Sequence, residues 1–368
     1  MAVQRLHIQG YKSIEELDLE LEPLNVLIGA NGTGKSNLIG AFRFLERVLS
    51  RNLQLTVAQA GGAERFLFHG SKRTKLLKLY FRFGLNAYEA NFVPAADGLV
   101  LASELGHDFG YAQQRGIPDF AVSFASGAKE SGLLKEAEEP GARIARYVWD
   151  TVTGWRLYHF HDTSDSSPAK QVADVDDNRA LRNDAANLPA FLYLLKETEP
   201  AAYSQIVSHV KLAAPFFEDF VLEPSRLNPS KIKLEWRQTG SDAYFDAYAL
   251  SDGTLRFICL ATLLLQPHLP SLVLLDEPEL GLHPYAIQLL SELLRSAAGR
   301  TQLLVATQSV TLLNQLDPDH ILIAEHDGTR TSVQRLRDRL SDERLRTWLA
   351  DYAIGELWEK NVLGGRPR

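Results

Sequence analysis

The feature that most constrains this sequence is a glycine-rich stretch, Gly29 to Ser36, set between an apolar run and a helical pattern. The preceding run, Leu24 to Ile28, is almost continuously apolar, which is typical of a strand buried on both faces. From Lys35 to Leu49, apolar residues recur every three or four positions, which predicts a helix. The sequence therefore predicts a strand, a glycine loop and a helix in succession.

The spacing of this stretch is G-x-x-x-x-G-K-S, which suits the binding of a nucleotide's phosphates. Glycines let backbone N–H groups turn inward around a β-phosphate, and the Lys35 ammonium offsets charge on the β- and γ-phosphates. The hydroxyl of Ser36 is expected to bind Mg²⁺. The residues expected to contact ATP here are Asn31, Gly32, Thr33, Gly34, Lys35, Ser36 and Asn37. The alternative is a glycine turn that merely carries a lysine.

A second candidate site follows the apolar run Leu272 to Leu275, which ends in Asp276 and Glu277. Ligands of open α/β sheets bind at the carboxyl ends of the strands. We expect Asp276 to hold Mg²⁺, and Glu277 to polarise the attacking water as a general base. An ordinary boundary between strand and loop also fits this string, but the glycine loop upstream favours the functional interpretation.

The stretch Leu250 to Thr254 stands about two dozen residues before Asp276 and directly ahead of a predicted helix. The order of glycine loop, Leu-Ser-x-Gly and acidic strand end resembles that of ABC-type ATPases. The resemblance implies that Ser251 and Gly253 bind the γ-phosphate of an ATP held by the opposite subunit. A homodimer closed around ATP would then be part of the mechanism. The alternative is that Ser251 is only a helix N-cap.

Within that class, the sequence resembles the RecF/SMC and overcoming-lysogenization-defect (OLD) nuclease branch more than transporters. The resemblance lies in Leu6 to Ile14, in the loop Gly29 to Asn37 and in Glu279 to Pro284. Asp177-Asn178 and Asn187-Leu188 resemble small predicted ATPases found in bacterial defence loci. The branch implies an α/β P-loop NTPase of ABC/SMC type, with a mixed-sheet core, an antiparallel β lobe and a short helical insertion.

Gln308 departs from the family pattern, which often has a histidine at this place that senses the γ-phosphate. An amide can hydrogen-bond a phosphate or a water but cannot supply a cationic proton donor. Gln308 is nevertheless assigned a catalytic role beside Glu277 and Lys35, and slow turnover is expected. The alternative is a helix-start residue that touches no ligand.

The resemblance also predicts how the chain divides. Residues 1–165 would form the N-terminal part of an ATPase head, with the phosphate loop and the antiparallel β lobe. Residues 166–215 would form the helical insertion, since two helical patterns there are separated by Glu199 and Pro200. Residues 216–368 would form the C-terminal part of the head.

Composition limits the partners and the compartment. One cysteine cannot form an internal disulfide, and no apolar run reaches membrane-spanning length, so a cytoplasmic protein without a membrane partner is expected. The net charge of −7 excludes a globally basic coat, so any DNA contact needs a local patch. Two candidate patches are Lys72, Arg73, Lys75 and Lys78, and the arginine-rich tail from Arg330 to Arg346.

His159, His161 and Asp162 form a weaker candidate site, with the two imidazoles expected on one face of a strand from Trp155 to His161. Three interpretations stay open: a transition-metal site that lacks an evident fourth ligand, a place lining the ATP site, and a solvated strand end.

The favoured function is an ATPase switch whose dimer of heads acts in DNA-related or anti-phage defence processes, with a separately encoded nuclease or toxin as effector. Alternatives are an ATP-locked sensor scaffold with negligible turnover and a DNA repair ATPase like RecF or SMC. A transporter subunit is disfavoured by the amino-terminal pattern. An intrinsic nuclease is not expected, because only about 60 residues follow Gln308.

Overall fold

The computed structural model describes residues 2–96, 98–341, 347–349 and 351–364. The chain forms two compact units. The first unit comprises residues 1–155 and 317–368, and the second comprises residues 156–316. The division into three segments expected from the sequence stays a prediction.

The strands are as follows: β1 (Arg5–Tyr11), β2 (Ile14–Glu20), β3 (Leu24–Ile28), β4 (Leu77–Phe83), β5 (Asn86–Ala95), β6 (Gly98–Asp108), β7 (Ala121–Ala128), β8 (Trp155–Tyr158), β9 (Ala173–Asp174), β10 (Phe217–Val221), β11 (Lys231–Ile232), β12 (Glu235–Gln238), β13 (Tyr244–Asp246), β14 (Leu272–Asp276), β15 (Gln302–Thr307), β16 (Ile321–His326) and β17 (Thr331–Arg335).

The helices are α1 (Lys35–Leu49), α2 (Leu53–Gln59), α3 (Gly70–Arg73), α4 (Phe109–Arg115), α5 (Leu133–Glu138), α6 (Arg143–Val152), α7 (Leu188–Thr198), α8 (Pro200–Ala213), α9 (Asp252–Leu265), α10 (Pro284–Ala298), α11 (Val310–Leu313) and α12 (Ile354–Glu359). Short 3₁₀ turns lie at Ala63–Arg65, Pro168–Lys170, Ala247–Ala249, Pro318–His320 and Leu336–Ser341. Among the helices in the described residues, none combines the length and apolar character that a membrane crossing requires.

The first unit contains a six-stranded antiparallel sheet in the order β2-β1-β4-β5-β6-β7. Its inward face alternates with an outward polar face, as along β4, where Leu77, Leu79, Phe81 and Phe83 are buried. Apolar alternation from Lys75 to Val93 predicts an antiparallel hairpin, and the pairing of β4 with β5 confirms it.

The first unit also contains the strands β17-β16-β3, in which β16 pairs in parallel with β3 and antiparallel with β17. All five residues of β3 are buried, as the apolar run predicted. Helix α1 begins at Lys35 and ends at Leu49, which are the predicted bounds. The strand and helix therefore hold the glycine loop between two rigid elements.

The second unit contains β15-β14-β8, with β14 and β15 parallel and Asp276 opposite Ala306. The apolar pattern from Thr254 to Leu265 predicts a helix, which is confirmed as α9 and begins two residues earlier, at Asp252. Helices α7 and α8 are separated at Glu199, as predicted.

Two element predictions in the second unit are wrong. The apolar pattern from Val310 to Leu316 predicts a helix, but α11 ends at Leu313. The strand expected from Trp155 to His161 ends at Tyr158, so His159 and His161 do not share a strand face. The strand ends early because backbone groups of both histidines are bonded elsewhere. The His159 N–H donates to the Asn183 carbonyl oxygen, and the His161 carbonyl oxygen accepts from Arg256.

Candidate functional site

The glycines of the loop after β3 are required by backbone conformation and by space. Gly34 has φ 100°, and a Cβ there would collide with the side chain of Thr331. At Gly29, a Cβ would stand 2.7 Å from the carbonyl oxygen of Ala324. Gly32 has φ 83°, but nothing lies within 4 Å of its Cβ position. The loop is therefore closely backed by protein on one side and open at Gly32, a shape that suits a bound phosphate.

Lys35 turns its ammonium group into this loop. The residue is buried, and Nζ donates hydrogen bonds to the carbonyl oxygens of Gly29 and, at 3.1 Å, of Ala30. A buried cation held against a glycine loop at the N-terminus of a helix favours anion binding. Ser36, one residue later, is exposed in the first turn of α1.

A network of hydroxyl and amide groups supports the loop from behind. The Thr331 hydroxyl donates to the Thr33 carbonyl oxygen at 2.9 Å and lies 2.8 Å from the Ser13 hydroxyl. Asn37 Nδ2 donates to the Ser13 hydroxyl at 2.6 Å, and Thr33 Oγ1 donates to the Ala30 carbonyl oxygen at 2.9 Å. Asn37, expected to contact ATP, therefore has its side chain engaged in supporting the loop.

The acidic strand end lies in the second unit, where β14 places Asp276 at its last position. Glu277 follows with φ 43°, a left-handed conformation that is rare for a residue with a side chain, and its backbone N–H donates to the Ala306 carbonyl oxygen at 2.8 Å. Such strain costs on the order of 1–3 kcal/mol and is concentrated at functional sites. The turn directs the Glu277 carboxylate towards the end of β15.

Gln308 directly follows β15 and contacts Glu277. Its side-chain amide Nε2 donates a hydrogen bond to Glu277 Oε1. Both side chains are half-buried. The structure thus brings together two of the three residues to which the sequence assigned catalytic roles.

Ser251 is the N-cap of α9. Its hydroxyl accepts a hydrogen bond from the Thr254 backbone N–H at 3.2 Å, and both Ser251 and Asp252 are exposed. Gly253 is required for close packing, because a Cβ there would stand 2.5 Å from the Gly281 carbonyl oxygen. Ser251 therefore caps α9, and its exposure leaves the helix start accessible to a ligand.

The segment after β8 is held by Arg256, a buried residue of α9. Its Nε donates to the Phe160 carbonyl oxygen at 2.8 Å, and one terminal nitrogen donates to the His161 carbonyl oxygen at 2.9 Å. The His159 backbone N–H donates to the Asn183 carbonyl oxygen at 2.8 Å. Because these partners take the backbone groups that a neighbouring strand would need, the strand stops at Tyr158.

The metal interpretation of His159, His161 and Asp162 gains no support. The two imidazole rings lie 6.1 Å apart. In the described part of the chain, no three His, Cys, Asp or Glu side chains converge so as to hold a metal ion. A transition-metal site at these residues is therefore not proposed.

Most side chains of the two basic patches form ion pairs or hydrogen bonds within the protein. Arg330 pairs with Glu15, Arg337 with Glu22 and Arg339 with Glu325, while Arg335 is buried against backbone and Asn25. Arg344 and Arg346 lie outside the described residues. In the first patch, Lys78 pairs with Glu89 and Arg73 with Glu15, whereas Lys72 is exposed.

Sequence reasoning assigned no role to three residues that the structure connects to the site: Ser13, Glu279 and Thr331. Ser13 and Glu279 lie in stretches that carried the family resemblance, which was their only signal. Thr331 gave no signal, because its contact with Thr33 spans 298 residues of sequence.

The fold and these two groups of residues define the class of protein. A buried lysine in a glycine loop between a buried strand and a helix, together with an acidic end on a parallel strand, defines a P-loop ATPase. The fold is that of the ABC/SMC type, with mixed sheets and an antiparallel lobe.

Family models match two segments of the chain. The family described as "AAA domain, putative AbiEii toxin, Type IV TA system" matches residues 127–314, just over half of the 368 residues. A second family, "AAA ATPase domain", matches residues 1–130. The chain belongs to the first of these families and is an ATPase.

Two curated proteins are similar over short segments. The DNA replication and repair protein RecF of Renibacterium salmoninarum is 35% identical over 97 residues, which is 25% of this chain and 23% of that protein. Urease accessory protein 2 of Cryptococcus neoformans var. grubii is 31% identical over 110 residues, which is 29% of this chain and 9% of that protein. The chain thus matches less than a quarter of the length of either relative.

Solved structures of SMC heads share the fold. An SMC head bound to the C-terminal winged-helix domain of ScpA has TM-score 0.56 at 15% identity, covering 93% of this chain and 100% of that chain. An SMC head with an extended coiled coil, bound to the C-terminal domain of ScpA from Pyrococcus furiosus, has TM-score 0.55 at 15% identity, covering 94% and 99%. At this identity the likeness establishes the fold and no more.

Proposed function

We propose that this ATPase is a switch in which two copies of the chain enclose two molecules of Mg²⁺-ATP, and hydrolysis separates the copies. The observation that carries the proposal is the pair of groups that ATP hydrolysis requires: a buried ammonium, Lys35, in an anion-binding loop, and a carboxylate, Glu277, held in a strained turn. The first attracts the phosphates and the second can accept a proton from water.

The proposal assigns each residue a role in this chemistry. The backbone N–H groups of Gly32, Gly34 and Lys35 bind phosphate oxygens, and the Lys35 ammonium offsets the charge of the β- and γ-phosphates. Glu277 orients the attacking water and accepts its proton, while Gln308 holds the Glu277 carboxylate in place.

Ser36 and Asp276 are the residues that would hold Mg²⁺. A hydroxyl and a carboxylate are hard oxygen donors, the kind that Mg²⁺ prefers, and both side chains have exposed or half-buried positions that leave room for water and phosphate ligands. Bound Mg²⁺ supplies neutralisation of the charge on the β- and γ-phosphates.

Ser251 and Gly253 would act on the nucleotide of the opposite copy. The exposed start of α9 carries a hydroxyl and N–H groups, and a helix N-terminus attracts a γ-phosphate. In this proposal a second copy completes the site, and ATP-dependent dimerisation is the switching event.

Dimerisation is the experiment that tests the switch. In analytical ultracentrifugation, Glu277→Gln with Mg²⁺-ATP should sediment as a dimer, since it binds ATP but does not hydrolyse it. The same variant without nucleotide should sediment as a monomer. A monomer under both conditions, in protein that binds ATP, would reject the switch.

We propose further that the switch acts in a bacterial defence or DNA-related process through a separately encoded nuclease or toxin. The family description, which names a toxin and a type IV TA system, and the similarity to a DNA replication and repair protein support this setting. Contact with DNA, if part of the process, would use Lys72, Arg73 and Lys75, which are exposed in the first unit.

A second candidate function is an ATP-locked sensor scaffold. It is favoured by Gln308, because an amide in contact with Glu277 cannot donate a cationic proton to the reaction. Phosphate release separates the two candidates: turnover of the unaltered protein that equals that of Glu277→Gln supports the scaffold, and clearly higher turnover supports the switch.

A further inference from the structure

A second glutamate, Glu279, lies two residues beyond Glu277 and has no role in the mechanism described above. The residue is 7% exposed, and its Oε1 accepts a hydrogen bond from the Thr307 hydroxyl at 2.5 Å. The other oxygen, Oε2, is buried without a hydrogen-bond partner among the described residues. A buried carboxyl group with one unsatisfied oxygen is costly, so its presence needs an explanation.

The surroundings of Glu279 favour its neutral form. Burial raises the pKa of its carboxyl group, and the nearby Glu277 carboxylate raises it further. Three hydrogen bonds lower the pKa of Glu279: those from the Thr307 hydroxyl, from the Glu279 backbone N–H and from the Gln308 backbone N–H. The negative charge of Glu279 in turn raises the pKa of Arg256 on α9, against the lowering effect of burial. Burial and the Glu277 charge outweigh these hydrogen bonds, so the pKa of Glu279 is raised from its ordinary value.

The contacts of Glu279 fix the residues that carry the Gln308 side chain. Glu279 holds Thr307, and the Thr307 Oγ1 accepts a hydrogen bond from the Ser309 backbone N–H at 2.9 Å. Gln308 lies between these two anchored residues, and its Nε2 donates to Glu277 Oε1. The direction of the Gln308 side chain therefore depends on the Glu279 contact.

We propose that Glu279 is a positioning residue for ATP hydrolysis, which anchors the turn after β15 through Thr307 so that Gln308 holds the Glu277 carboxylate. Glu279 acts through hydrogen bonds that a neutral group can accept, and it exchanges no proton with the substrate. The inference rests on the proposed function, since it needs Glu277 to be the base.

The test compares steady-state ATP hydrolysis by Glu279→Gln, Glu279→Ala and Thr307→Val with that of the unaltered protein. Glu279→Gln keeps a carbonyl oxygen for Thr307 and should hold kcat within about threefold. Glu279→Ala and Thr307→Val should each lower kcat about tenfold or more, with KM changed less than about threefold. The double variant Glu279→Ala/Thr307→Val should lose no more than Thr307→Val alone, because both changes break the contact between Glu279 and Thr307, and Thr307→Val also removes the acceptor of the Ser309 N–H.

Glu277→Gln is the matched control, since the same change two residues earlier should abolish turnover. Loss of turnover in Glu279→Gln would overturn the inference by making Glu279 a reacting group. A kcat of Glu279→Ala equal to the unaltered value, per folded molecule by calorimetric unfolding, would also overturn it. Absence of turnover in the unaltered protein would reject the proposed function and the inference with it, so the two failures are distinguishable.

Discussion

Gln308 donates a hydrogen bond from its side-chain amide to Oε1 of Glu277. The contact is a consequence of strand register, since β14 and β15 run parallel with Asp276 opposite Ala306, and the two side chains follow directly. This hydrogen bond occupies one lone-pair direction of the Glu277 carboxylate, so in the proposed mechanism the other oxygen would orient the water molecule. Glu277 is held by an amide rather than by a titratable group.

Glu277→Gln should lower kcat for ATP hydrolysis by roughly 10²–10⁴, because an amide cannot accept the proton of the attacking water. ATP affinity should be retained, since the phosphate loop is unchanged. Phosphate release and nucleotide titration measure the two quantities. Glu292→Gln, an exposed residue of α10, is the control and should behave as the unaltered protein. Equal turnover of the two variants would remove Glu277 from the mechanism.

Gly34→Ala should destabilise the protein more than Gly32→Ala does. Both residues have positive φ, but only at Gly34 would the new Cβ collide with Thr331. We expect a loss in the free energy of unfolding of about 2–4 kcal/mol at Gly34 and about 1–2 kcal/mol at Gly32. Urea unfolding measures both. Equal losses would show that Thr331 does not back the loop closely.

Ser251→Asp separates the capping role of Ser251 from its proposed contact with ATP. Aspartate is a good N-cap, so the free energy of unfolding should change by less than about 0.5 kcal/mol, whereas Ser251→Ala should lose about 1 kcal/mol. The added carboxylate should repel the γ-phosphate and prevent the ATP-dependent dimer when combined with Glu277→Gln. A dimer that persists in Ser251→Asp would restrict Ser251 to capping.

Glu89 and His107 should make stability depend on pH. Contact with His107, and pairing with Lys78 at 2.9 Å, lower the pKa of Glu89 to about 2, and Glu89 raises the pKa of His107. The Glu89 contribution is present above pH 4.5 and is lost as pH falls towards 2. The His107 contribution is present below pH 6.5 and is lost as pH rises through its elevated pKa.

The combined contribution of this pair should therefore be largest between pH 4.5 and 6.5. Glu89→Gln should lower the free energy of unfolding there by about 1 kcal/mol and flatten its dependence on pH. Urea unfolding at pH 3.5, 5.5 and 8.5 measures this. A constant difference between the variant and the unaltered protein at all three values would contradict it.

The sequence predicted those parts of the site that depend on local spacing. The bounds of α1 and the order of β3, loop and helix follow from apolar periodicity and glycine placement within about 25 residues. The contact between Glu277 and Gln308 required the register of two strands, which no local pattern specifies. The sequence placed Glu277 at a strand end and assigned Gln308 a catalytic role, but only the structure brought their side chains together.

Other features depended on contacts far apart in sequence. The support of Gly34 by Thr331 and the end of β8, set by Arg256 bonds to Phe160 and His161, each join distant segments. The alternating pattern predicted that β8 would reach His161. A local pattern cannot show that a distant side chain, here Arg256, takes the hydrogen bonds of the backbone carbonyl groups. The same limitation left Glu279 without a role, since its partner Thr307 lies 28 residues away.

The central claim is that the loop around Lys35 binds the terminal phosphates of ATP, and titration calorimetry tests it most directly. Mg²⁺-ATP titrated into the unaltered protein should give saturable heat with one nucleotide per chain. Lys35→Ala should weaken binding about tenfold to a hundredfold, because a charge-assisted hydrogen bond is lost, whereas Lys72→Ala should not. Folded protein that takes up no ATP, or equal affinity in Lys35→Ala, would contradict the account.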